Sequence, residues 1–166
     1  MTRLLPAVAL SLAVGCVSSP PGPGLPAPVV AAFDKADEVT LYALQPDNPP
    51  VLPEERDPAQ ERFYDHPVIG KSAVKDAAAR QALFDAFRRG VRDHDGSVAG
   101  CFIPRHGLRI TSGEKTVDLV ICFECRQVLV YENDKRGPGM LISGSPRGAF
   151  NKALRDAGVP VPKGAE

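Results

Sequence analysis

The chain has 166 residues, with 20 Lys and Arg against 20 Asp and Glu, so its formal net charge is zero. That balance excludes the basic face that nucleic acid or an anionic lipid surface demands, and no nucleic-acid partner is expected. Apolar residues make up 43% of the chain and charged residues 24%, a mixture suited to a buried core.

The first segment, "MTRLLPAVALSLAVG", sets one basic residue, Arg3, ahead of an uncharged and mostly apolar run from Leu4 to Gly15. The run matches a signal-peptide core and falls short of the ~20 residues a membrane-spanning helix needs. Residues 1–15 therefore read as an export signal. They end in "LAVGC", which resembles the lipobox of bacterial lipoproteins: a small residue, here Gly15, precedes a cysteine, here Cys16, that is lipidated and becomes the new N-terminus. The resemblance implies acyl chains on Cys16. Each buried methylene contributes about 0.8 kcal/mol, so two or more chains hold a protein on a bilayer. It also implies a membrane-anchored protein of the cell envelope, a palmitate-type lipoprotein with a possible envelope protein as partner. Val17 stands where such lipoproteins often carry the Asp of inner-membrane retention, which points to an outer membrane facing the periplasm if the cell has two membranes. A plain secretory signal with an incidental cysteine is the other reading of the same residues.

Residues 16–35, "CVSSPPGPGLPAPVVAAFDK", are dense in Pro and Gly and read as a semi-extended tether. The remaining residues, 36–166, suit a single domain. Its first strand is expected at Glu38 to Leu44, followed by "QPDNPPVLPEERDPAQ", whose prolines rule out regular structure and mark a long surface loop. "SAVKDAAARQALFDAFRRGVRDHDG" reads as the main helix, with Ser72 as N-cap, a stripe of Leu83, Phe84, Phe87 and Val91, and Gly96 as the stop. Gly70 to Ser72 is similar to the end of a phosphate-binding loop, but Asp65 occupies the place of a required glycine. His66, before a proline, reads as structural, and His94 as compensating the helix C-terminus.

Five strands follow: Gly100 to Ile103, Leu108 to Ser112, Thr116 to Phe123, Val128 to Tyr131 and Gly139 to Ser143. "SPRGAFNKALRDAGVP" closes the chain as a helix with Ser145 as N-cap, Pro146 at the first helical position, Phe150 and Leu154 on one face, and Gly158 as terminator. The expected fold is α+β: an antiparallel β-meander of about four to five strands, with a long helix before it and a short C-terminal helix packed on one face.

Cysteines carry the chemical question. The chain has four, and if Cys16 is lipidated the remaining three leave one thiol over. Cys122 and Cys125 are disulfide candidates with Cys101, because export favours oxidation. In a regular strand, residues three apart stand ~10 Å apart and cannot bond, since a disulfide spans at most about 6.8 Å between Cα atoms. Either the chain turns between Phe123 and Gln127, or the two thiols have different partners. A three-residue loop at Ser112, Gly113 and Glu114 would set Cys101 opposite Cys125. Three further readings stay open: the leftover thiol is buried and inert; Cys101, His106, Cys122 and Cys125 form a Cys3His zinc set; or Cys122 and Cys125 are a redox pair. Arg105, His106 and Arg109 are candidates to hold an anion through charge-assisted hydrogen bonds. No nucleophile–base–acid grouping is visible, so a binding or structural module is expected, with no cofactor unless the zinc set forms.

Overall fold

A computed structural model describes residues 24–47 and 51–165. The expected signal peptide, Cys16 and residues 17–23 of the tether lie outside the described residues. Three α-helices and eight strands follow in the order α1 (Ala27–Asp34), β1 (Glu38–Leu44), β2 (Arg62–Phe63), β3 (His66–Ala73), α2 (Ala77–Arg92), β4 (His106–Ser112), β5 (Lys115–Cys122), β6 (Gln127–Glu132), β7 (Lys135–Arg136), β8 (Met140–Leu141) and α3 (Arg147–Asp156). The proline-rich loop, expected to lack regular structure, holds a single 3-10 turn at Pro53–Glu55 with proline at its start. All pairings are antiparallel. The strands form one sheet in the order β2-β3-β1-β4-β5-β6-β7, with β8 on β6.

The mixed helix-and-sheet class is as expected, and the strand count is larger than four to five. β1 inserts between β3 and β4, so the sheet is not a simple meander. Strand alternation divides the side chains cleanly. Val39, Leu41, Leu108, Ile110, Leu119, Ile121, Val128 and Val130 join residues of all three helices in one apolar cluster. Tyr42, Leu44 and Val120 face the other way, with Phe63 and Val68. Both faces of the central strands are thus covered, which is why β5 reads as a nearly unbroken apolar run.

α1 occupies residues read as tether. Its prolines misled: Pro26 precedes the helix and Pro28 lies in its first turn, where a missing N–H costs nothing. Val29, Ala32 and Phe33 then recur at helical spacing and are buried. Phe33 stacks on Phe84 of α2 with ring centroids 4.2 Å apart. α1 is part of the core.

Ser72 lies in β3 rather than capping the main helix. The cap is Asp76, whose carboxylate accepts the Ala79 N–H at 2.7 Å. β3 was hidden by Pro67 and Gly70. Pro67 sits at the sheet margin opposite Arg62, where proline is tolerated, and Gly70 makes room for the Val159 side chain. α2 ends at Arg92, short of Gly96, so His94 lies beyond it and accepts the Gly96 N–H at 2.9 Å. Gly90, inside α2, faces Ile142 and Pro146 so closely that a methyl group there would collide with both.

Gly100 to Ile103 forms no strand, and Gly139 to Ser143 shrinks to Met140–Leu141. At the β4–β5 hairpin Ser112 pairs with Lys115, so the loop has two residues, not three. Gly113, at φ +56°, supplies the left-handed residue. The register that set Cys101 opposite Cys125 therefore fails. Asn133 and Asp134, at φ +48° and +63°, make a type I′ turn between β6 and β7. α3 starts one residue later than expected, with Pro146 in the cap position and the Ser145 hydroxyl bonded to Ser143. It ends as expected in a Schellman motif: Val159 N–H bonds Leu154 O at 2.9 Å and Gly158 N–H bonds Arg155 O at 3.0 Å.

Candidate functional site

The chain does turn after β5. Phe123 to Arg126 form the loop joining Cys122 to its partner Gln127. Arg126 adopts φ +58°, a left-handed conformation unusual for a side chain of its kind. The reversal brings the Cα atoms of Cys122 and Cys125 to 5.1 Å, and the two sulfurs form a disulfide. Both are buried, while Cys101 is an exposed free thiol. Of the three disulfide candidates, the local pair is the bonded one.

Residues 95–105 lie along this corner. Ala99 N–H donates to Cys125 O at 3.2 Å, and Arg105 N–H to Ile121 O at 3.2 Å. Ile103 N–H donates to Cys125 Sγ at 3.2 Å. The Gln127 side chain donates to Ala99 O at 2.8 Å. Arg126 binds both oxygens of Asp95, at 2.7 and 2.8 Å, and also the Ser97 hydroxyl. Bonds from Ser97 first, and then Arg126, hold the Asp95 carboxyl well below the usual carboxylate range.

Arg105, His106 and Arg109 are not brought together as an anion site. His106 is 1% exposed, packed against Phe123 and Phe150 with centroids 5.2 and 5.9 Å away. Its Nε2 lies 2.8 Å from Asn151 Oδ1. Because Asn151 Nδ2 donates to Ala165 O at 2.5 Å, Asn151 Oδ1 is the acceptor and His106 carries its proton on Nε2. Burial pushes this imidazole down to about 4, against the opposing effect of the Asn151 bond. It is a satisfied core histidine. Arg105 instead reaches toward Glu124, 3.8 Å away, and lies against Gly164.

Arg109 grips Asp118 with two bonds, Nε to Oδ1 at 2.9 Å and Nη2 to Oδ2 at 2.6 Å. Asp118 is 1% exposed and also accepts the Tyr64 hydroxyl at 2.7 Å. Tyr64 occupies the β2–β3 turn at φ +55° and stacks on Tyr131 with centroids 3.7 Å apart. Burial, and then the bond to Asp118, raises its hydroxyl pKa well above the usual value. Sequence reasoning missed Asp118 and Tyr64. Asp118 did carry a signal, as the single acid in "TVDLVIC".

The zinc set is not gathered: Cys122 and Cys125 are bonded to each other, Cys101 is at the surface, and the His106 ring is held by Asn151. Among the described residues, no group of three or more His, Cys, Asp or Glu side chains is placed to hold a metal. In this arrangement these four residues do not fit the ion.

Besides a hollow of about 280 Å³ between α1 and the β4–β5 strands, two concave regions stand out among the described residues. A groove of about 440 Å³ runs between α2 and α3, walled by Ala79, Ala82, Ala149, Ala153 and Ala157, with Leu41 beneath. Lys75 and Asp76 stand on its rim beside Lys152 and Asp156. Asp76 is committed to its cap, and Lys152 is paired with Asp156 at 2.5 Å. Lys75 forms no ion pair among the described residues. The second region, about 370 Å³, lies under the proline-rich loop beside His66 and Phe102. Its charges are already paired with one another or with Arg62: Arg56 with Asp65 at 2.9 Å, and Arg62 with Asp47 at 2.8 Å.

Searches with protein-family models, against curated proteins and against solved structures find no match to this chain.

Proposed function

We propose that the protein is an envelope lipoprotein, fastened to the membrane through Cys16, whose domain acts as a binding module for an aliphatic ligand bearing one negative group. The observation that carries the binding part is the alanine-walled groove. Its volume of about 440 Å³ falls in the range typical of small-molecule sites, which are mostly apolar with a few polar groups at the margin. Alanine on both helices leaves space that larger side chains would fill. Lys75, the one cation on the rim not committed to a carboxylate among the described residues, offers the charge that selects an anionic head. Support for the location comes from the lipobox-like sequence and from the Cys122–Cys125 disulfide, a bond at home in oxidising compartments.

Palmitate labelling of cells tests the anchor. Incorporation into the chain is expected and should vanish in Cys16→Ser, and an unlabelled chain recovered from the cytosol would end this part of the reading. Titration with the apolar sulfonate probe 1-anilinonaphthalene-8-sulfonate tests the groove. One molecule should bind per chain and be displaced by octanoate. Lys75→Glu should weaken binding about tenfold, and Ala153→Trp, which fills the groove, should abolish it. Equal binding by all three proteins would place the probe elsewhere and overturn the groove reading.

The thiol-redox alternative is favoured by a separate observation: a free, exposed Cys101 lies two residues from Ile103, whose N–H bonds the sulfur of Cys125 in the buried Cys122–Cys125 disulfide.

A further inference from the structure

We propose that Cys101 is an exchange thiol for the Cys122–Cys125 disulfide, so that the three sulfurs form one intramolecular thiol–disulfide centre. This goes beyond the ligand groove, which lies elsewhere in the fold. Cys101 stands two residues from Ala99 and two from Ile103, and both of those residues bond to Cys125, one to its carbonyl and the other to its sulfur. Two residues of chain span at most ~7 Å, so Cys101 is leashed on both sides to the residue whose sulfur it would attack. A disulfide needs Cα atoms within about 6.8 Å, a distance within the reach of that leash. Both sulfurs are buried and Cys101 is exposed, so the exchange requires residues 99–103 to turn the Cys101 thiol inward over the corner.

The corner also fits each stage of the exchange. The Cys101 thiolate attacks Cys125 Sγ, the Cys101–Cys125 bond forms, and the Cys122–Cys125 bond breaks with its electron pair leaving on Cys122. Cys125 N–H lies 3.1 Å from Cys122 Sγ and donates to it, stabilising negative charge on the leaving sulfur. The proton lost by Cys101 is taken up by Cys122. Its sulfur lies 3.3 Å from the Ile103 carbonyl oxygen, an acceptor for the regained S–H. One thiol and one disulfide exist before and after, so no oxidant or reductant is consumed. The crosslink moves from a short turn to a long loop enclosing β4 and β5, and it pins the segment before β4 to the turn after β5.

The test uses the full chain, quenched in acid and then labelled in denaturant with N-ethylmaleimide, with labels mapped after digestion by trypsin and a glutamate-specific protease. In the wild type, label is expected on both Cys101 and Cys122, with Cys122 labelled more than tenfold above its level in Cys101→Ser. Label on Cys101 alone would overturn the proposal. Cys122→Ser, held in a glutathione redox buffer, should form the Cys101–Cys125 bond in nearly every molecule. Recovery of Cys101 and Cys125 as free thiols or separate glutathione adducts would count against it, as would a Cys101–Cys122 bond in the wild type.

Discussion

The two faces of the sheet are held by different physics. Under the helices, stability comes from apolar burial: Phe33, Phe84 and Phe87 pack together, and Phe150 packs on Phe123 at 5.2 Å. The cluster is broad, and no single geometric requirement governs it. On the opposite face, a smaller aromatic group surrounds one buried carboxylate that takes bonds from Arg109 and Tyr64. That face depends on direction as well as area. Periodicity in the sequence exposes the first kind of organisation, while the second must be found in three dimensions.

Truncating a side chain on the helical face should do the most damage. Phe87→Ala removes a side chain with no exposure and should cost about 3–5 kcal/mol, measured as a fall in the urea midpoint with little change in slope. Next comes acidity, through the one histidine inside the helical face. Between pH of about 6.5 and about 4 the unfolded chain takes a proton that folded His106 refuses. The favourable contribution is fully present above the unfolded value and is lost as pH falls through this window. It should amount to roughly 3 kcal/mol. His66, also lowered by burial, acts in the same direction, so urea midpoints at pH 7 and pH 4.5 are to be compared between the wild type and His106→Gln. A flatter profile in the variant is the expected result, and parallel profiles would refute the assignment.

On the outer face, Asp118→Ala orphans the Tyr64 hydroxyl and one side of Arg109. Because Arg109 is partly solvated, the expected loss is about 1–3 kcal/mol. Tyr64→Phe keeps the ring stack and removes only the bond to Asp118, so it should cost about 1 kcal/mol. If Tyr64→Phe proved as damaging as Asp118→Ala, the carboxylate would owe its place to tyrosine alone.

Legibility followed the same division. β1, β4, β5 and β6 were visible because apolar and polar residues alternate or run unbroken along them, and α3 because Pro146 and Gly158 bracket it. α1 was concealed by prolines that lie only at its first turn, and β3 by a proline and a glycine that each have a local reason to be there. The spacing of Cys122 and Cys125 raised the right alternatives. The deciding turn contains neither Gly nor Pro, because Arg126 takes the left-handed conformation itself. The alanines of α2 and α3 could be read for helix propensity, but not for the space they leave between two helices distant in sequence.

That space has a counterpart at Gly90. The glycine lets α2 press against Pro146 at the start of α3, and Ser143 N–H fastens the approach by bonding Gly90 O at 2.8 Å. α2 and α3 therefore meet at this vertex, and the alanine-walled groove lies between them toward Ala79 and Ala157. A single methyl added at the vertex would act as a spreader, resetting the gape of the mouth from the far end without touching any residue that lines it.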